Sequence, residues 1–143
     1  MVAGFDHPKD CTQNVPTLAF LGTADPVVPY ARGGSSLLVS DATPPGLAEV
    51  LAPGVGPRFA ESAAAAGCSP EPARRTIATD VVLLRWTGCA EGAEHELYEI
   101  QGGGHTWPGA PEQPDADLIG ATTTSIDATA IAWDFFSHHS MTN

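Results

Sequence analysis

The sequence predicts an α/β domain in which a small, mainly parallel sheet is flanked by helices and long loops. A short apolar run bounded by proline and glycine has the pattern of a strand buried on both faces, as in parallel sheets. The final segment has the periodicity of an amphipathic helix. The 15 glycines and 13 prolines among 143 residues indicate many loops. With 43% hydrophobic and 16% charged residues, residues 1–143 have the composition of a single packed domain.

The first half of the chain contains one predicted strand and one predicted helix. Thr17–Gly22 (TLAFLG) is the apolar strand, and the turn that follows it places Asp25 at its carboxyl end. Residues 33–57 are rich in glycine and proline pairs, which predicts mostly loop. The alanine-rich segment Arg58–Ala66 ends directly before Gly67, so we expect a short helix there.

The second half contains two predicted strands and a final helix. Val81–Trp86 and Glu94–Ile100 are separated by a short connection, which suggests pairing as a hairpin. A glycine-rich loop, Gly102–Gly109, follows them. The final helix is capped by Thr124 or Asp127, and its apolar stripe consists of Ala128, Ile131, Ala132, Phe135 and Phe136.

The charge and hydropathy of the chain exclude two classes of partner. Six Lys and Arg against seventeen Asp and Glu give a net charge of −11, which repels phosphate and argues against nucleic acid. No apolar run reaches the ~18 to 20 residues that a membrane-spanning helix needs. The first sixteen residues lack the charged start and apolar stretch of a secretion signal, so we expect no signal peptide in this chain.

Metal and cofactor motifs are not evident in the sequence. The chain has three cysteines, Cys11, Cys68 and Cys89. They are too few for a disulfide scaffold and fit no two-pair zinc pattern, which leaves either one disulfide with a spare thiol or buried free thiols. Asp115 and Asp117 lack the spacing of a calcium loop. The three glycines before His105 do not form a dinucleotide-binding pattern, so no metal and no cofactor is expected.

Two functional side chains follow predicted strands, where open α/β sheets bind their ligands. They are Asp25 and His105. A carboxylate at Nδ1 of a histidine fixes the ring tautomer and prepares Nε2 to take a proton. Each residue also has a structural explanation: an aspartate before proline forms turns, and a histidine in a glycine loop is commonly a surface residue.

Five segments of the sequence form a recognisable set. They are Gly22–Tyr30 (GTADPVVPY), Trp86–Cys89 (WTGC), Leu97–Ile100 (LYEI), Gly102–Gly109 (GGGHTWPG) and Ile126–Thr129 (IDAT). Together they resemble the C-terminal half of the polyhydroxybutyrate depolymerase and feruloyl esterase family, which consists mostly of secreted bacterial α/β-hydrolases. The likeness extends from about Pro16 to Phe136. It implies part of an α/β-hydrolase fold and a secreted parent protein.

The resemblance also implies an activity and its residues. The activity is carboxylic-ester hydrolysis without a cofactor, in which His105 acts as base and then acid while Asp25 orients it. Their order along the chain matches the last two members of the Ser…Asp…His series. Trp107 is expected to wall the acyl or aromatic group of the ester, or equally to pack beneath its loop. A disulfide between Cys68 and Cys89 is implied, whereas the state of Cys11 is left open.

One part of the family pattern is missing from this sequence. No serine lies in a G-x-S-x-G elbow, because Ser35, Ser36 and Ser69 each lack one of the required glycines. The chain is therefore expected to be an esterase whose nucleophile is not evident here, or else a catalytically silent fragment or binding module. A sheet without its other half exposes a strand edge, so we expect a homo-oligomer through the Thr17–Gly22 side or a complementing N-terminal half.

Overall fold

The fold is described by a computed structural model for residues 13–31, 53–111 and 115–139. Within these ranges the regular elements are the strands β1 (Thr17–Gly22), β2 (Ala73–Ala78), β3 (Val81–Trp86) and β4 (His95–Ile100), and the helices α1 (Val55–Ala65), α2 (Ala116–Ile119) and α3 (Ala128–His138). A short 3-10 helix, Ala90–Gly92, lies in the connection between β3 and β4.

The four strands form one sheet in the order β1-β4-β3-β2. β1 runs parallel to β4, whereas β4 with β3 and β3 with β2 are antiparallel pairs. The prediction of a mainly parallel sheet is therefore wrong, since the described sheet is mixed and mostly antiparallel. The physical reason is the length of the connections. β2, β3 and β4 follow one another through short links that fit antiparallel neighbours, whereas a long crossover containing α1 separates β1 from β4.

The apolar strands lie where the sequence predicts them. β1 and β3 have the predicted bounds, β4 begins one residue later than expected, and β3 and β4 form the predicted hairpin. β2 was not predicted. It is an outer strand of the sheet, and four of its six residues, including Arg74 and Arg75, are exposed. An exposed strand of this kind has no apolar periodicity to reveal it.

The helices differ from expectation mainly at their ends. α1 begins at Val55 and not at Arg58, because Pro57 is accommodated in the first turn, where its missing N–H needs no partner. The predicted loop 33–57 therefore contains the start of α1, and its part from 33 to 52 lies outside the described residues. α3 is capped by Asp127, whose carboxylate accepts hydrogen bonds from two backbone N–H groups of the first turn. The short helix α2 was not predicted.

The sheet is packed between α1 and α3, and the two faces of β1 show this arrangement. Leu18 and Phe20 belong to an apolar cluster with Phe135 of α3. Ala19 and Leu21 belong to a second apolar cluster, which includes Phe59 of α1. These four β1 side chains are buried, which confirms the expectation of a strand covered on both faces.

A disulfide joins the end of α1 to the connection between β3 and β4. The sulfurs of Cys68 and Cys89 are 2.03 Å apart, so the implied pairing is confirmed. The two cysteines are 21 residues apart in the sequence. In the chain-entropy model, a cross-link that closes a loop of this length stabilises the folded state by about 3 kcal/mol. Cys11 lies outside the described residues. Among the helices in the described ranges, none is both long and apolar enough to cross a membrane.

Candidate functional site

The loop after β1 holds Asp25 in a buried position. Its carboxylate is only 2% exposed, and Oδ1 accepts hydrogen bonds from the backbone N–H groups of Val27 and Val28, both at 2.8 Å. An aspartate that bonds the backbone two and three residues later closes a tight turn. The turn-forming role of this residue is therefore real, but it engages only one of the two carboxylate oxygens.

The second oxygen of Asp25 faces His105. The Nδ1 atom of His105 lies 3.0 Å from Oδ2, and the imidazole is 33% exposed. Because an ionised carboxylate only accepts hydrogen bonds, Nδ1 carries the proton in this pair and the lone pair of the neutral ring lies on Nε2. No hydrogen bond to Nε2 is found within residues 13–31, 53–111 and 115–139. The ring therefore has the tautomer and the exposure of a proton acceptor.

Close backbone contacts at glycines pack the histidine loop against the aspartate loop on one side and against Ile119 on another. A Cβ atom at Gly22 would lie 2.2 Å from the carbonyl oxygen of Gly103, and one at Gly104 would lie 2.2 Å from the carbonyl oxygen of Ile119. The backbone N–H of Ala24 donates to the carbonyl of Gly103 at 3.0 Å. A larger residue at Gly22 would push the histidine loop away from the aspartate loop, and one at Gly104 would push it away from Ile119.

The histidine loop is held from its other side by the segment before α3. The N–H groups of Gly104 and Gly109 donate to the carbonyls of Ala121 and Thr123, both at 2.8 Å. The N–H of Ala128 donates to Pro108 at 3.0 Å and so ties the loop to the start of α3. The loop that carries His105 is thus held by backbone hydrogen bonds on both sides.

Asp80, in the turn between β2 and β3, supports this segment and was not identified from the sequence. Hydrogen bonds from the side chains of Ser125 and Thr123 hold the pKa of the Asp80 carboxyl below its ordinary value of 3.8. The backbone carbonyl of Thr123 is also the acceptor for the N–H of Gly109. A single aspartate in a hairpin turn carries no sequence signal that would indicate this contact.

Trp107 lies two residues after the histidine and is 43% exposed. Its indole N–H donates to the hydroxyl of Thr129 in the first turn of α3 at 3.0 Å, and its ring centre lies 6.5 Å from that of Phe20. The ring therefore packs partly against α3 and leaves one part accessible beside the site. Its role as a substrate wall stays a prediction.

The nucleophile expected for an esterase is not seen beside the dyad. In the described part of the chain, the hydroxyls of Ser62, Ser69 and Ser137 donate to nearby backbone carbonyls, and Ser125 bonds Asp80. Ser35 and Ser36 lie outside the described residues. No other described Cys, His, Asp or Glu joins the dyad to form a group of three metal ligands. The described site is an acid and base pair without a nucleophile.

A separate groove of about 550 Å³ lies between α3 and the sheet, and its lining contains neither Asp25 nor His105. Its charged groups are paired with one another. Arg85 contacts Glu94 at 3.1 Å and also Glu96, and Nε2 of His139 lies 3.3 Å from Glu94. The contact between His139 and Glu94 joins the end of α3 to the sheet, and the Arg85 contacts link β3 to the β4 segment, which gives the groove a structural explanation.

Comparisons of the chain with protein-family models, curated proteins and solved structures find no match. The geometry of the Asp25 and His105 pair is therefore the structural support for a function of this chain.

Proposed function

We propose that this chain takes part in carboxylic-ester hydrolysis by serine-type chemistry, as its resemblance to polyhydroxybutyrate depolymerases and feruloyl esterases implies. His105 is the general base and then the general acid, and Asp25 orients it. The observation that carries the proposal is the 3.0 Å contact between Nδ1 of His105 and Oδ2 of a buried carboxylate. Without that contact, neither the tautomer nor the direction of the ring would be defined.

The chemistry follows from the two ring nitrogens. Nε2 takes the proton of an attacking hydroxyl group, which leaves an imidazolium whose positive charge faces the Asp25 carboxylate. The imidazolium then gives the proton to the departing alkoxide. Asp25 does not move during these steps, because two backbone N–H groups hold its other oxygen. The attacking hydroxyl and the ester must both approach Nε2, and the exposure of the ring allows this.

We propose a partner for this chain, either a second copy or a complementing N-terminal half. The complementing half would bring the hydroxyl that attacks the ester, because a second copy would bring the same serines, none of which lies in a G-x-S-x-G elbow. β1 is the terminal strand of the described sheet, yet its residues from Leu18 to Gly22 are buried. Burial of this kind is typical of an inner strand of a larger sheet and not of an outer strand. It supports a partner that pairs with the free edge of Thr17–Gly22. The disulfide fits an oxidising compartment, so we also propose a secreted parent protein.

A second candidate function is a catalytically silent fragment or binding module. The observation that favours it is the absence of a nucleophile next to Nε2 in the described ranges. In this case the Asp25 and His105 pair would only fasten two loops together. The two candidates differ in whether removal of the imidazole changes a rate.

The test is hydrolysis of a p-nitrophenyl ester by the full chain and by two histidine variants. His105→Gln removes the base, and His138→Gln alters an exposed histidine of α3 as the matched control. We expect the control to retain the wild-type rate and His105→Gln to lose a factor of at least ~10². Equal rates above buffer in all three proteins would reject the proposal. No hydrolysis above buffer in any of them would favour the second candidate for the chain without a partner.

A further inference from the structure

A second cluster of reactive side chains lies at the other end of β4 from the dyad. The ligand atoms of Cys68, Cys89 and His95 all lie within 4.8 Å of one another. Cys68 follows α1, Cys89 lies between β3 and β4, and His95 is the first residue of β4. β4 extends from His95 to Ile100, about 16 Å at a rise of ~3.3 Å per residue, and His105 lies in the loop beyond its far end.

The histidine in this cluster is buried and directed at the disulfide. His95 is 3% exposed, its Nδ1 lies 3.8 Å from Sγ of Cys68, and its ring meets the ring of Phe59 edge-on. A disulfide sulfur is a weak hydrogen-bond acceptor, so this imidazole does little for the oxidised pair. Two thiolates and one imidazole, by contrast, are the ligand types that zinc prefers.

We propose that reduction of the disulfide converts this cluster into a zinc site with Sγ of Cys68, Sγ of Cys89 and Nδ1 of His95 as ligands. A dithiol supplies two electrons and two protons, the S–S bond breaks, and the dithiol becomes a disulfide. Zinc binding then releases both thiol protons to solvent and uses the lone pair of the neutral imidazole. Neither step requires a group of the Asp25 and His105 site.

The distances in the cluster are close to those of a tetrahedral site. With Zn–S bonds of ~2.3 Å and Zn–N bonds of ~2.0 Å, neighbouring ligand atoms lie roughly 3.5 to 3.8 Å apart. The sulfur–nitrogen distance expected from these bonds is roughly 3.5 Å, and the 3.8 Å between Sγ of Cys68 and Nδ1 of His95 is close to it. The two sulfurs must separate from their bonded distance, which side-chain rotation after reduction allows. Three protein ligands leave a fourth position for water, as in zinc sites that keep an open position.

The test uses Co²⁺ as a spectroscopic probe on the full chain with Cys11→Ser, so that only the two cluster thiols remain. Under anaerobic conditions, the reduced chain should bind one equivalent and show thiolate-to-cobalt charge transfer with tetrahedral visible bands. The oxidised chain should show neither. Loss of an outer partner of a metal ligand already weakens binding by roughly 10- to 100-fold, so His95→Gln should lose at least tenfold. The control His138→Gln should bind like its parent.

Two outcomes would overturn the proposal for a reduced chain that stays folded by circular dichroism. The first is the absence of any thiolate-to-cobalt absorption. The second is an equal affinity of His95→Gln and its parent for Co²⁺. If reduction unfolds the chain, Zn²⁺ titration decides in its place. If added Zn²⁺ restores the native circular dichroism spectrum in the parent but not in His95→Gln, the result supports the zinc site, since a structural metal links binding to folding. No recovery, or equal recovery in both proteins, contradicts it.

Discussion

Asp25→Asn should reverse the tautomer of His105 while leaving the fold in place. In the native protein, Oδ1 of Asp25 accepts from the N–H groups of Val27 and Val28, and Oδ2 accepts from Nδ1 of His105. Asparagine has only one acceptor oxygen, and the two backbone donors require it. Its NH₂ group must then point at His105, and Nδ1 can accept that bond only if the ring proton moves to Nε2.

The size of each effect follows from this rearrangement. Asparagine keeps the two backbone bonds of the turn, so we expect a loss of about 1 kcal/mol or less in the free energy of unfolding. Asp25→Ala removes all three bonds and should lose about 3 kcal/mol, at about 1 kcal/mol for each bond. In Asp25→Asn the rate of ester hydrolysis should fall by a factor of up to ~10⁴, because Nε2 is no longer a base.

The tautomer can be measured without any activity assay. Long-range proton–nitrogen correlation spectra of ¹⁵N-histidine-labelled protein distinguish a protonated ring nitrogen from an unprotonated one, at a pH where the ring is neutral. The signals of His105 are assigned by their loss in His105→Gln. We expect Nδ1–H in the native chain and Nε2–H in Asp25→Asn. The same tautomer in both proteins would show that the hydrogen bond to Asp25 does not set the tautomer of His105.

Two further predictions concern the residues that position the histidine. Gly104→Ala places a Cβ atom 2.2 Å from the carbonyl oxygen of Ile119, so the histidine loop must move. Both the melting temperature of the protein and the intensity of the Nδ1–H signal of His105 should therefore decrease. An unchanged Nδ1–H signal would contradict this prediction. Asp80 has a folded-state pKa below 3.8, so its contribution to stability is present above that pH and is lost as the pH falls further. Urea unfolding should therefore show Asp80→Asn less stable than wild type at neutral pH and nearly equal in acid, whereas a pH-independent difference would exclude this linkage.

The elements predictable from the sequence are those whose apolar side chains must face a core. β1, β3 and α3 have such patterns and were identified with nearly their observed bounds. β2 was missed because an exposed outer strand such as Ala73–Ala78 buries no face. Strand direction was misjudged for a different reason. An apolar run such as β1 indicates burial, whereas the links between strands decide whether neighbours run parallel.

The candidate site shows the same division between local and non-local information. Asp25 and His105 were identified because both follow strands, and β1 and β4 do end side by side. The contact between Asp80 and the segment before α3 has no local signal, since it depends on the distance between two loops in the folded chain. The closeness of His95 to the disulfide is hidden in the same way.

If Asp25 orients an imidazole that acts as the base in ester hydrolysis, free imidazole should replace a missing His105 ring in a chemical rescue experiment. His105→Gly removes the ring and leaves space for free imidazole beside the carboxylate. Added imidazole should restore ester hydrolysis in this variant, with saturation, above the rate of imidazole alone in buffer. The double variant Asp25→Asn with His105→Gly should gain nothing beyond that background. An equal increase in the hydrolysis rate in both variants, or no increase in His105→Gly, would contradict the proposed roles of Asp25 and His105.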